Sequence, residues 1–207
     1  MSKWKEKFEP YADEDSDAWS DLENEEKLVV AKEFLEDVGE SLDSFKIKFD
    51  EDEDDKVELR GKLDDLPVKI EVDLDDFAME IYTKVAASAY FCLNYSLDAK
   101  EKEADEDDDW GDDDEIRKVL DGGIYLEDSD QEDIDAGVAA WTAMPDTLKT
   151  DIKAAFPYCS LEKIVVRTDE IETGYWSKEN FMSTDDPLAS VSGALSISAK
   201  LGKHLAV

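Results

Sequence analysis

One histidine, His204, occurs in a chain of 207 residues. That excludes metal sites built on several histidines and counts against a His-dependent triad, for which His204 is the sole candidate base. Arginine is nearly as scarce: Arg60, Arg117 and Arg167 are the only three, against 20 lysines. So few positive charges do not make a basic, aromatic-studded surface for nucleic acid. The two cysteines, Cys92 and Cys159, are too few for a disulfide framework. They are expected as free thiols in a reducing cytoplasm, with Cys92 a small core hydrophobe. No run of 18 apolar residues occurs, so no segment is expected to span a membrane. The opening Met-Ser-Lys-Trp-Lys-Glu-Lys has no apolar stretch of the kind a secretory leader carries. There is no Gly-rich phosphate loop and no Gly-x-Ser-x-Gly elbow; Ser192-Gly193 stands in a regular element.

What is present in excess is acid. Asp and Glu number 57 against 23 Lys and Arg, for a net charge of −34. Residues 1–135 carry 48 of those acids and 16 bases, and residues 136–207 only nine and seven. Charge of this sign repels nucleic acid and anionic membrane and attracts cations and basic proteins. Apolar residues still make up 42% of the chain and aromatics 10%, enough for a packed core.

Periodicity divides the chain. Residues 1–19 read as a loose acidic and aromatic tail, and residues 20–207 as one α+β domain. Ser20-Asp21-Leu22-Glu23 has the form of a capping box. Leu28, Ala31, Leu35, Val38, Leu42 and Phe45 follow at helical spacing and predict one amphipathic helix. After the acidic run 50–55 the period becomes two. Val57 to Leu63, Val68 to Leu74, Phe77 to Val85 and Phe91 to Leu97 alternate apolar with polar. Leu-Asp-Asp turns are expected at Asp64-Asp65 and Asp75-Asp76. This pattern predicts an antiparallel β-meander of about four strands, 57–97, with one wet face. Residues 98–115 are the most acidic stretch and read as an exposed loop. A short strand is expected near Val119 to Glu127, bent at Gly122-Gly123. A helix through Ile134, Val138 and Trp141 ends at Pro145, and Asp146 caps a second one. A hairpin over Ile164–Arg167 and Ile171–Trp176 follows. The stretch 188–205 fits either period; Asp186-Pro187 starts it as a helix. The expected fold class is α+β: an antiparallel sheet packed by an N-terminal helix and C-terminal helices on one side. That order in a small acidic protein resembles the layout of the type III secretion chaperones, with no motif in common.

Three constellations carry a chemical suggestion. Asp13, Asp15 and Asp17 have the spacing of the first calcium-loop ligands, but Ala18 and Asn24 stand where the loop needs Gly and Glu. Asp73-Leu74-Asp75 resembles the Asp-x-Asp opening of the haloacid-dehalogenase-like phosphotransferases. That family has Thr or Val where this chain has Phe77, and a buried parallel strand where Lys69 and Glu71 imply a wet face. His204, beside Lys203 near a helix end, reads as a surface residue that suits the helix dipole.

The expectation is therefore a soluble, non-enzymatic protein with no cofactor and no metal site that binds a basic protein partner. Its candidate contacts are the aromatics in or beside the acidic stretches, Trp4, Phe8, Tyr11, Trp19 and Trp110, with Asp107, Asp108 and Asp109. One alternative is a nucleic-acid mimic or immunity-type inhibitor. A second is the chaperone-like role that the layout implies. A third is a divalent-metal enzyme, which would require several of Asp73, Asp75, Asp76, Asp121 and Asp128 to converge.

Overall fold

The computed structural model describes residues 19–49, 56–75, 78–87, 90–97, 116–159, 161, 163–176 and 187–206. Alternating apolar residues build nine strands: β1 (Ser44–Phe49), β2 (Lys56–Leu63), β3 (Leu66–Asp73), β4 (Met79–Lys84), β5 (Phe91–Tyr95), β6 (Ile116–Asp121), β7 (Ile124–Asp128), β8 (Lys163–Val166) and β9 (Glu170–Trp176). The helices are α1 (Asn24–Gly39), α2 (Gln131–Ala143), α3 (Asp146–Tyr158) and α4 (Pro187–Leu205). All nine strands join one antiparallel sheet in the order β1-β2-β3-β4-β9-β8-β5-β7-β6. The fold class is α+β, as expected.

Register keeps the apolar face continuous. Val57 pairs with Val72 and Val72 with Met79. Leu59, Ile70 and Ile81 align, and Ile81 meets Thr173. Beyond them Leu93 stands between Ile164 and Leu126. These residues are buried, because the helices cover this face. α1 lies against β1 and β2, α4 against β4 and β9, and α2 against β5, β6 and β7. The stripe Val30, Ala31, Phe34, Leu35 and Val38 seats α1. α3 packs on α4, whose Gly193 lies so close that a Cβ there would be 2.6 Å from the Cys159 Sγ.

Turn chemistry sets the hairpins. Asp64 and Asp65 have φ of 53° and 69°, the left-handed pair of a two-residue I′ turn, which Asp tolerates better than bulkier residues. Lys203 in the last turn of α4 holds Asp64 at 2.9 Å. Gly122 and Gly123, at φ of 63° and 89°, make the corresponding turn between β6 and β7.

Several expectations are corrected. The β2-β3-β4 meander is present, but β5 does not continue it, because the β8–β9 hairpin occupies the place beside β4. The stretch around Val119 to Glu127 is two strands, since Gly122-Gly123 reverses the chain fully. The first helix stops at Gly39, and Leu42 and Phe45 lie beyond it, Phe45 in β1. Glu23 is the residue that precedes α1, without a side-chain cap, because Ser20 to Leu22 are held in a turn closed by the Leu22 N–H on the Trp19 carbonyl. Pro145, not Asp146, precedes α3. Cys92 is half-buried on the solvent-side row of β5, and Cys159 is the fully buried thiol. Both are free.

Candidate functional site

The face of the sheet away from the helices collects charge, and pairing across strands decides its pattern. Glu58, Glu71 and Glu80 stand directly opposite one another on β2, β3 and β4. Like charges so placed repel, and each has a local partner. Arg60 Nε donates to Glu58 at 2.7 Å, Lys69 Nζ lies 2.9 Å from Glu71, and the Tyr82 hydroxyl donates to Glu80. Lys69 also sits over the Tyr82 ring, 4.2 Å from its centroid. Partial burial, then the Glu80 hydrogen bond, pushes the Tyr82 phenol well above its ordinary range. Beside this row is a depression of ≈180 Å³ lined by Lys56, Glu71, Asp73, Ala78 and Glu80. Further along, Glu172 is held by Arg167 at 3.1 Å and Lys163 at 3.7 Å. Arg117 pairs with Glu127 at 2.5 Å.

The distribution of charge over the whole chain is more telling than any one pair. The nine strands carry ten basic and nine acidic residues, and the four helices six and ten. The remainder of the chain carries seven and 38. The described strands and helices are together nearly neutral, and −31 of the −34 lies in residues outside them. Two runs supply 18 of those acids: 50–55, between β1 and β2, and 98–115, between β5 and β6.

Of the aspartates required by a carboxylate-metal centre, the four that are described, Asp73, Asp75, Asp121 and Asp128, do not all meet. Asp73 ends β3 and accepts from the Asp75 N–H at 2.8 Å, an Asp turn at the close of an antiparallel strand. Asp75 faces Lys27 at 3.8 Å. Asp121 is bound by Lys153 at 2.6 Å, and Asp128 accepts from the Asp130 N–H. β3 is five and six places from β7 and β6 in the sheet, so the two sets lie roughly 24–29 Å apart at about 4.8 Å per strand. Among the described residues no group of three or more His, Cys, Asp or Glu side chains is placed to hold a metal ion. His204 is exposed in the last turn of α4.

Of the expected contact residues, Trp19 is corrected. It is fully buried, and its indole Nε1 donates to the Leu74 carbonyl at 3.0 Å. The ring joins the hydrophobic core, and the hydrogen bond to Leu74 satisfies its one polar atom. Trp4, Phe8, Tyr11, Trp110, Asp107, Asp108 and Asp109 lie outside the described residues, as do Asp76 and the Asp13-Asp15-Asp17 spacing. Alternation alone did not single out the solvent-side rows; the signal was charged residues at most second positions of β2 to β4. No helix among the described residues is long and apolar enough to cross a membrane. Compared with known protein families, curated proteins and solved structures, the chain matches none.

Proposed function

We propose that this protein binds a basic protein partner through its acidic connecting segments and works without a catalytic centre. The observation that supports this is the segregation of charge along the chain: the described strands and helices are near-neutral, and −31 lies in residues outside them. Carboxylates concentrated in connections attract a cationic surface over long range and speed its association. A nucleic-acid mimic is less well supported, because it needs carboxylates in a fixed array. The row fixed on β2 to β4 is only three glutamates, of which Glu58 and Glu71 are each paired with a base on the same strand. Trp110, with Asp107, Asp108 and Asp109 around it, is the proposed apolar anchor within the charge.

The test is capture from the native cell extract at low and at high salt, followed by affinity measurement with the isolated partner. Affinity should fall steeply as salt rises, since exposed charges are screened beyond about 10 Å at 0.1 M. Trp110→Ala should weaken binding and spare thermal stability. Salt-independent binding would count against the proposal. So would turnover of a substrate that Asp73→Asn or Asp75→Asn abolishes.

A further inference from the structure

The sheet has two edges, and they differ. β6 closes one edge, its register with β7 shifts between Val119 and Asp121, and α2 packs against it. A bulge of this kind turns an edge away from new partners. β1 closes the other edge, pairs with β2 alone among the described strands, and keeps register over all six residues. In an antiparallel ladder only alternate residues bond inward, so half of the β1 N–H and C=O groups point out from the edge.

The side chains of this edge are also out of keeping with the rest of the molecule. Lys46 and Lys48 on β1 and Lys62 on β2 are exposed. None has an acidic group within ion-pair distance among the described residues, whereas Arg60 has Glu58 and Lys69 has Glu71. Lys48 has Glu58 directly across the ladder, whereas Lys46 faces Arg60 and Lys62 faces Ser44, so in a chain of net charge −34 this regular edge carries a local excess of lysine. On the other side of β1, Ile47 and Phe49 are half-buried beside α1.

We infer that β1 is a docking strand for an extended acidic segment of a partner protein, which adds antiparallel or parallel to the sheet edge. Main-chain hydrogen bonds hold it, as in other strand additions. Its carboxylates, at every second position, face Lys46, Lys48 and Lys62, and its intervening apolar side chains extend the surface of Ile47 and Phe49. A second copy of this chain is the wrong occupant, because it sets a lysine strand against a lysine strand and −34 against −34. The same lysines that bar self-pairing select an acidic strand. This surface has the opposite polarity to the acidic segments of the proposed binding of a basic partner.

The opposition of local and global charge gives the interaction its own signature. At about 0.01 M salt the Debye length of about 30 Å lets the whole molecule repel an acidic peptide. At about 0.1 M only contacts within about 10 Å count, and at about 1 M those too are screened. Binding should pass through a maximum with salt, where binding of a basic partner only falls.

The test uses the full chain and a labelled synthetic peptide of about ten residues, alternating Glu and Val, a length typical of strands. Fluorescence anisotropy should show binding that is strongest at intermediate salt, and hydrogen exchange should show slowed β1 amides in the complex. Lys46→Glu with Lys62→Glu should weaken binding about tenfold, as expected when exposed pairs turn from attraction to repulsion. The control Lys118→Glu changes net charge at the opposite edge and should leave binding within about twofold. Three results would each overturn the inference: no binding at millimolar peptide, equal loss from Lys118→Glu, or equal binding by a peptide with Pro in place of Val.

Discussion

Replacing Trp19 by alanine is the sharpest probe of how the chain ahead of α1 is held. The side chain is fully buried and its Nε1 reaches the Leu74 carbonyl at 3.0 Å, which ties residue 19 to the β3–β4 turn. Removing a buried tryptophan costs about 3–5 kcal/mol. The bond it takes away contributes about 1 kcal/mol more, since Leu74 is itself buried and its carbonyl loses the indole donor. Trp19→Ala should therefore destabilise by about 4–6 kcal/mol, a large share of the 5–15 kcal/mol typical of a folded protein. Trp19→Phe keeps most of the apolar surface and loses the hydrogen bond, so about 1–2 kcal/mol is expected. Urea unfolding followed by far-ultraviolet circular dichroism measures both, and the phenylalanine variant reports even where the alanine variant does not fold. Amide exchange at Asp75 and Ala78 should speed in step. A loss under about 1 kcal/mol for Trp19→Ala would refute the buried placement and return Trp19 to the candidate partner contacts.

Other perturbations test other parts of the molecule. The Thr173 hydroxyl is buried and has no hydrogen-bond partner among the described residues, whereas Ser198 Oγ donates to Thr83 Oγ1 at 2.5 Å. Thr173→Val should therefore stabilise by on the order of 1 kcal/mol and Thr83→Val should destabilise by about 1–3 kcal/mol, read from chemical denaturation. Burial pushes the Cys92 and Cys159 thiols up to about 11, so at pH 8 an alkylating reagent should meet roughly a hundredfold less thiolate than at an unshifted cysteine. Because the folded chain keeps protons that the unfolded chain releases, the contribution of these two groups to stability should be complete below about pH 9 and lost as pH rises toward about 11. Cys159 labelling at the rate of a free thiol in native buffer would contradict this. Changing Asp50, Asp52, Asp54 and Asp55 to Asn should leave the thermal midpoint unchanged or raise it at low salt, and the difference should shrink at about 0.1 M salt. A large drop would show specific contacts.

Local pattern made much of this fold legible. The period-two runs of β2, β3 and β4, the Asp64-Asp65 turn, the pair α2 and α3 split at Pro145, the β8–β9 hairpin and the helix begun at Pro187 all follow from near-neighbour chemistry. What escaped were features set at a distance. The run Phe91 to Tyr95 has the same alternation as β4, and nothing in it tells that a hairpin made about 70 residues later takes the place between them. Leu42 and Phe45 continue the three-and-four spacing of α1, so the helix read through its own end. The better signal was Ser41-Leu42-Asp43-Ser44, followed by Lys46 and Lys48 alternating with Phe45, Ile47 and Phe49. Trp19 was misread because the chemistry of its neighbours is that of a tail, whereas its partner, the Leu74 carbonyl, is 55 residues away. The charged rows of the solvent face were present in the alternation but emerge as a surface only through register, which pairs Glu58, Glu71 and Glu80.

The place of the β8–β9 hairpin has a bearing on synthesis. Until residues 163–176 leave the ribosome, β4 has no neighbour on one side and β5 none to join it to the strands already made. Both then present bare edges, and β4 carries the core side chains Met79 and Ile81 two positions apart. Two half-built sheets of this sort invite pairing with whatever strand is near. The acidic runs 50–55 and 98–115 are both translated before the hairpin, and six of the acids arrive ahead of β2. Nascent chains so charged repel one another through the interval in which the sheet is incomplete. On this view the first benefit of the acidity comes before the protein has met any partner: it keeps neighbouring copies apart until the last hairpin closes the gap.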